Sequence, residues 1–247
     1  PRPVIWVDFE PPASTPPGDT GRNLSLLKQM GITTLGWSGD FQESLQSLGL
    51  TTDFNAFETQ IIAAVQALYT DTGSNVRVLG APGDTPPGYI PYIVTDGAGN
   101  IVRDSNGDEV TRGVYQTVDV GGGPSGTTDL GMSSPAYGKI TGGLDFYNQI
   151  PDDTAVVFVN NIFTPKLTGA TISSLSQDVR VRAVASVIAH EAGHNFGLVH
   201  LDGSLASLIM AAGTVPGEFN SPITFNLSPE PVDSTSDASL APLAGKT

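Results

Sequence analysis

The chain contains only three histidines, and they stand at 190, 194 and 200 within the segment His-Glu-Ala-Gly-His-Asn-Phe-Gly-Leu-Val-His. An imidazole offers a nitrogen lone pair that binds borderline metal ions, zinc above all. On a helix, residues four apart leave the same face one turn apart. His190 and His194 can then both reach one ion at about 2.0–2.1 Å. His200 comes in as a third ligand if the chain turns after the helix. Three protein ligands leave a fourth position for water, which marks a catalytic zinc site and not a closed structural one. Glu191 follows His190 and projects toward that position, where a carboxylate can act as general base on the water.

These side chains need a helix, a stop and a frame. The pattern predicts a helix over Gln177 to Phe196, with Gly197 as its terminator, because glycine adopts the left-handed conformation without strain. A second long helix is predicted over Phe54 to Thr70. Phe57, Ile61, Ala64, Val65 and Leu68 recur there at helical spacing and should face a core. Asn55 and Glu58 are spaced as in a capping box, and Asp53 is an equally good cap. Shorter helices are expected over Asn23 to Met30, closed by Gly31, and over Phe41 to Leu48. Residues 3–9 and Asn75 to Leu79 read as strands, so strand–helix–strand opens an α/β sheet with a right-handed crossover. Tyr89 to Val120 reads as a β-meander broken by hairpin turns, with Tyr115 to Val120 in the main sheet. Thr154 to Asn160 is a continuous apolar run and reads as a central strand.

The spacing His-Glu-x-x-His-x-x-Gly-x-x-His resembles the signature of the metzincin clan of zinc peptidases. Ser207-Leu208-Ile209-Met210 lies ten residues past His200 and is similar to that clan's Met-turn. The order of upstream elements also resembles the clan, so the likeness covers most of residues 3–212, although its specific motifs cover only 190–210. Bacterial matrixin-like secreted peptidases are the members it most resembles. The likeness implies an α+β, zincin-like fold: a twisted mixed β-sheet and two long helices, the second carrying the zinc motif, with a small irregular C-terminal subdomain holding the Met-turn. It implies one catalytic domain over 1–226, whose upper portion spans 1–197 and whose lower portion spans 198–226, and a disordered tail or linker over 227–247. It implies an endopeptidase in which zinc-activated water, with Glu191 as general base, hydrolyses the peptide bond. The substrate would lie extended along an edge strand, for which Asp129 to Pro135 is the candidate, with Thr214 to Phe225 beside the specificity pocket. Such a protein is expected to be a secreted, periplasmic or cell-surface monomer.

The sequence also departs from the clan. Leu201 follows the third histidine, where families differ. Ala212 stands two residues after Met210, where some members carry a tyrosine. With no spare histidine, one catalytic zinc is expected and a second structural zinc is not. A catalytically inactive zincin-fold binding or adhesion module is the alternative reading, and a zinc hydrolase of non-peptide substrates is a third.

Composition narrows the field further. With 11 basic and 25 acidic residues, the net charge is −14 and no basic cluster exists, which argues against a nucleic-acid partner. No apolar run is long enough for a membrane span. The absence of cysteine excludes disulfides and thiol chemistry. Hydrophobic residues make up 39%, ample for a core, while 29 glycines and 19 prolines indicate long loops. The chain begins at Pro1, which reads as a processed or trimmed form. Asp104-Ser105-Asn106-Gly107-Asp108-Glu109 resembles a portion of a calcium loop, and turn chemistry explains it equally well. Asp202 is a candidate to accept a hydrogen bond from a ligand imidazole, or else a solvated loop residue.

Overall fold

A strand buried on both faces needs neighbours on both sides, and β1 (Val4–Asp8) is buried at all five positions. In the computed structural model, β1 pairs in parallel with β2 (Arg77–Leu79) on one side and β5 (Tyr115–Gly121) on the other. β7 (Thr154–Phe158) continues the sheet parallel to β5, and β6 (Gly131–Ser133) closes it antiparallel to β7. The order is β2-β1-β5-β7-β6, a five-stranded mixed sheet with a reversed strand at one edge. A separate antiparallel pair joins β3 (Tyr92–Ile93) to β4 (Thr111–Arg112). The structure describes residues 3–9, 40–71, 75–85, 92–93, 99–103, 107–109, 111–112, 115–123, 129–133, 154–164, 171–196 and 198.

The register places Val7, Val118 and Ala155 in one row and Val120 beside Val157, all facing the helical layer. Helix α1 (Phe41–Ser47) starts with a reciprocal capping box: Asp40 accepts from the Glu43 amide at 2.7 Å, and Glu43 accepts from the Asp40 amide at 3.3 Å. Helix α2 (Phe54–Asp71) is capped by Asp53, which accepts from the Ala56 amide at 3.1 Å. Of the two candidate caps the structure uses Asp53, because Asn55 is already inside the first turn. Phe57, Ile61 and Val65 are buried as the periodicity requires, with Ala64 and Leu68 at the margin; Ile62 and Tyr69 join them.

Between β2 and the following turn, Gly80 has φ of +130°, and a Cβ there would lie 2.1 Å from the Val7 carbonyl oxygen. Only glycine fits where the chain passes so close to β1. Asp84 closes that turn by accepting from the Gly80 and Ala81 amides, both at 3.0 Å.

The expected strand over Thr154 to Asn160 ends earlier, at Phe158, because Val159 begins the short helix α3 (Val159–Ile162). The two asparagines of α3 explain the change. Asn160 accepts from the Gly123 amide at 2.7 Å, just past β5, and Asn161 donates to the Asp129 carbonyl at 2.7 Å, just before β6. A strand would point these side chains to opposite faces of the sheet and lose one of the two ties.

Helix α4 (Gln177–Asn195) starts at Ser176, whose hydroxyl accepts from the Val179 amide. Arg180 ties its first turn to the 3-10 turn Ile172–Ser174, donating to the carbonyls of Ile172 (2.9 Å) and Ser173 (3.1 Å). Ala183, Ala185, Ala189 and Ala192 are all buried. These small side chains let α4 lie close to both α2 and the sheet.

Arg103 and Glu109 form an antiparallel bridge and a 3.2 Å ion pair around Gly107, whose φ is +86°. Glu109 is therefore engaged by an arginine within a hairpin turn, and Asp104 to Asn106 lie outside the described residues. Also outside them lie the helix expected over 23–30, Pro135, nearly all of the lower portion over 198–226, and the 227–247 tail. Among the described residues no helix is long and apolar enough to cross a membrane.

Candidate metal centre

The last two turns of α4 carry His190, Glu191 and His194. The two imidazoles converge as their spacing predicts: Nε2 of His190 lies 3.0 Å from Nε2 of His194, and the rings stand at 83° to each other. Two nitrogen ligands on a tetrahedral zinc ion are about 3.3 Å apart, given bonds of about 2.0–2.1 Å. The observed separation is within a few tenths of an ångström of that. The pair is therefore spaced as two ligands of one zinc ion would be.

How the helix ends orients His194. The Leu198 amide donates to the Gly193 carbonyl at 3.0 Å, a bond spanning the helix end. The Phe196 amide donates to the Ala192 carbonyl at 3.2 Å. Leu198 is thereby placed so that its carbonyl accepts from His194 Nδ1 at 2.8 Å. A carbonyl has no proton to give, so Nδ1 carries the proton and Nε2 of the neutral ring is left with the lone pair. That is the tautomer a metal ligand needs. Gly197, the expected terminator, lies outside the described residues, as do His200, Asp202 and Met210. Among the described residues no three of His, Cys, Asp or Glu are grouped to hold a metal ion.

Glu191 is 6% exposed and faces β6. Burial pushes its carboxyl up to about 8; the charge of the exposed Asp129 adds to this, and a hydrogen bond from the Ser133 hydroxyl opposes it. A divalent cation at the two imidazoles acts in the opposite sense, favouring the ionised carboxylate.

Behind the metal face, Tyr69 of α2 fastens α4. Its hydroxyl donates to the Ala189 carbonyl at 3.0 Å, one residue before His190. Its ring packs edge-on against Phe196, 6.1 Å between centroids at 74°. Burial pushes the phenol far above its ordinary range, so it remains a donor. Tyr69 was not among the expected core residues of α2, although the helical series 57, 61, 65 could have been extended to it. Gly131 could also have been noticed, since glycine within a strand often marks a close approach. Nothing in the sequence marks Ser133 or the carbonyl of Leu198. No protein-family model matches the chain, and no curated protein matches it significantly.

Proposed function

We propose that the chain is a zinc-dependent endopeptidase of the metzincin type, with a zincin-like fold, in which His190, His194 and His200 hold the ion and Glu191 is the general base. The observation that carries this reading is the convergence of two Nε2 atoms to 3.0 Å, one fixed in its tautomer by Leu198, beside a buried carboxylate. The outermost position of β6, inside the candidate segment Asp129 to Pro135, and the packing of α4 against it further support the reading.

A bound zinc ion supplies a Lewis acid that polarises the substrate carbonyl and makes water acidic near neutral pH. Glu191 takes the proton from the attacking water and returns it to the departing amine. Its burial keeps bulk solvent away while the proton is held. The ladder edge of β6 offers backbone donors and acceptors to an extended peptide. Met210 would form the Met-turn and Asp202 would steady a ligand imidazole. A secreted or cell-surface monomer fits the resemblance.

The test compares wild type with Glu191→Ala, measuring bound zinc by elemental analysis and cleavage of a mixed peptide library. One zinc in each protein with cleavage only by wild type is expected. Zinc in both without cleavage in either would favour a binding module, and no zinc in carefully prepared wild type would refute the site.

A further inference from the structure

We propose that Gly131 on β6 is a positioning residue for Glu191: the glycine makes the space that side chain occupies. This rests on the reading of Glu191 as general base.

Side chains alternate along a strand, so Gly131 and Ser133 share one face of β6 and Met132 takes the other. Met132 is buried on the far side, which leaves the 131/133 face to α4. A Cβ at Gly131 would lie 2.6 Å from Glu191 Cγ, 2.7 Å from its Oε1 and 2.8 Å from the Val156 carbonyl oxygen. The two Glu191 distances are well inside van der Waals contact, so even a methyl group would displace that side chain or the strand. Backbone conformation does not account for this glycine, because its φ is not in the left-handed region. What position 131 needs is empty space beside the Glu191 side chain and the Val156 carbonyl.

β6 is itself held in place. Gly131 and Ser133 are registered on Val157 and Ala155, the Phe158 amide donates to the Leu130 carbonyl at 2.8 Å, and Asn161 ties down Asp129. The strand on which an extended peptide would lie is thus also the strand that sets the base. Substrate and proton acceptor are positioned from one element, so an error in β6 moves both together.

The test uses the full chain loaded with zinc and the variant Gly131→Ala, made both in wild type and in Glu191→Ala. Zinc content, kcat, KM and thermal midpoint are measured for each. Gly131→Ala lowers kcat with zinc retained. It also lowers the midpoint by several degrees, and by less when Glu191 is already alanine, because the two Glu191 contacts are gone and only the one with the Val156 carbonyl remains. Equal midpoint losses in both backgrounds would overturn the steric claim, and a Gly131→Ala enzyme with unchanged kcat would overturn the positioning claim. The midpoint comparison needs no activity, so it decides the contact even if wild type cleaves nothing.

Discussion

Replacing Tyr69 by phenylalanine removes one oxygen and one hydrogen bond and leaves the ring in place. The bond is buried and 3.0 Å long, and its acceptor is the carbonyl of Ala189. That carbonyl lies inside α4, so it keeps its helical partner when the hydroxyl goes. No orphaned polar group results, and the cost should be that of a net hydrogen bond, about 1 kcal/mol, not the ~3 kcal/mol of a stranded one. For a chain of this size that corresponds to a midpoint lower by about 2–4 °C. Tyr69→Ala also loses the buried ring and its edge contact with Phe196, so about 3–5 kcal/mol is expected. Alkali supplies a second signature. The folded phenol is pushed above its ordinary value near 10, so its contribution is complete below pH 10 and is lost as the unfolded chain ionises above it. Wild type should then lose about 1.4 kcal/mol per pH unit that Tyr69→Phe does not lose, and the two curves should cross within about one unit above pH 10. Urea unfolding from pH 7 to 11 measures both effects. Tyr69→Phe as unstable as Tyr69→Ala, or parallel curves above pH 10, would refute the argument.

Two further outcomes are expected. In protein stripped of metal, the Glu191 carboxyl at about 8 holds a proton that the unfolded chain releases near 4.5, so stability should fall by about 1.4 kcal/mol per unit between those values. Glu191→Gln should lack that slope; the histidines contribute to both curves, so the difference between the two denaturation series reads Glu191, and identical slopes would contradict the assignment. Gly80→Ala puts a Cβ 2.1 Å from the Val7 carbonyl oxygen, with backbone and not a movable side chain in the way, and should cost more than about 3 kcal/mol in urea unfolding. Gly83→Ala also has positive φ but open space around it, so it should cost only about 1–2 kcal/mol, and equal losses at both positions would show that the close approach is not what matters.

Much of the frame follows from local pattern. The apolar run at 154–158, the helical series from Phe57 to Leu68 and the serine ahead of Gln177 each determine an element, because burial period and capping act over a few residues. The convergence of His190 and His194 is equally local, since a spacing of four on a helix leaves little choice. The choice of Asp53 over Asn55 as cap was open in the sequence, since both have a side chain that can take the role; the position of the first turn decided it. The end of β7 at Phe158 depended on whether Asn160 and Asn161 would find Gly123 and Asp129, which lie about 30 or more residues away in sequence and come together only through sheet pairing. The same holds for the surroundings of Glu191. Its place in the motif is written in the sequence, but the glycine beside it and the tyrosine that anchors its helix come from β6 and α2. A motif specifies which atoms can do chemistry because helix geometry is local. Packing between distant segments decides how those atoms are oriented, buried and charged, and that became readable only in the tertiary structure.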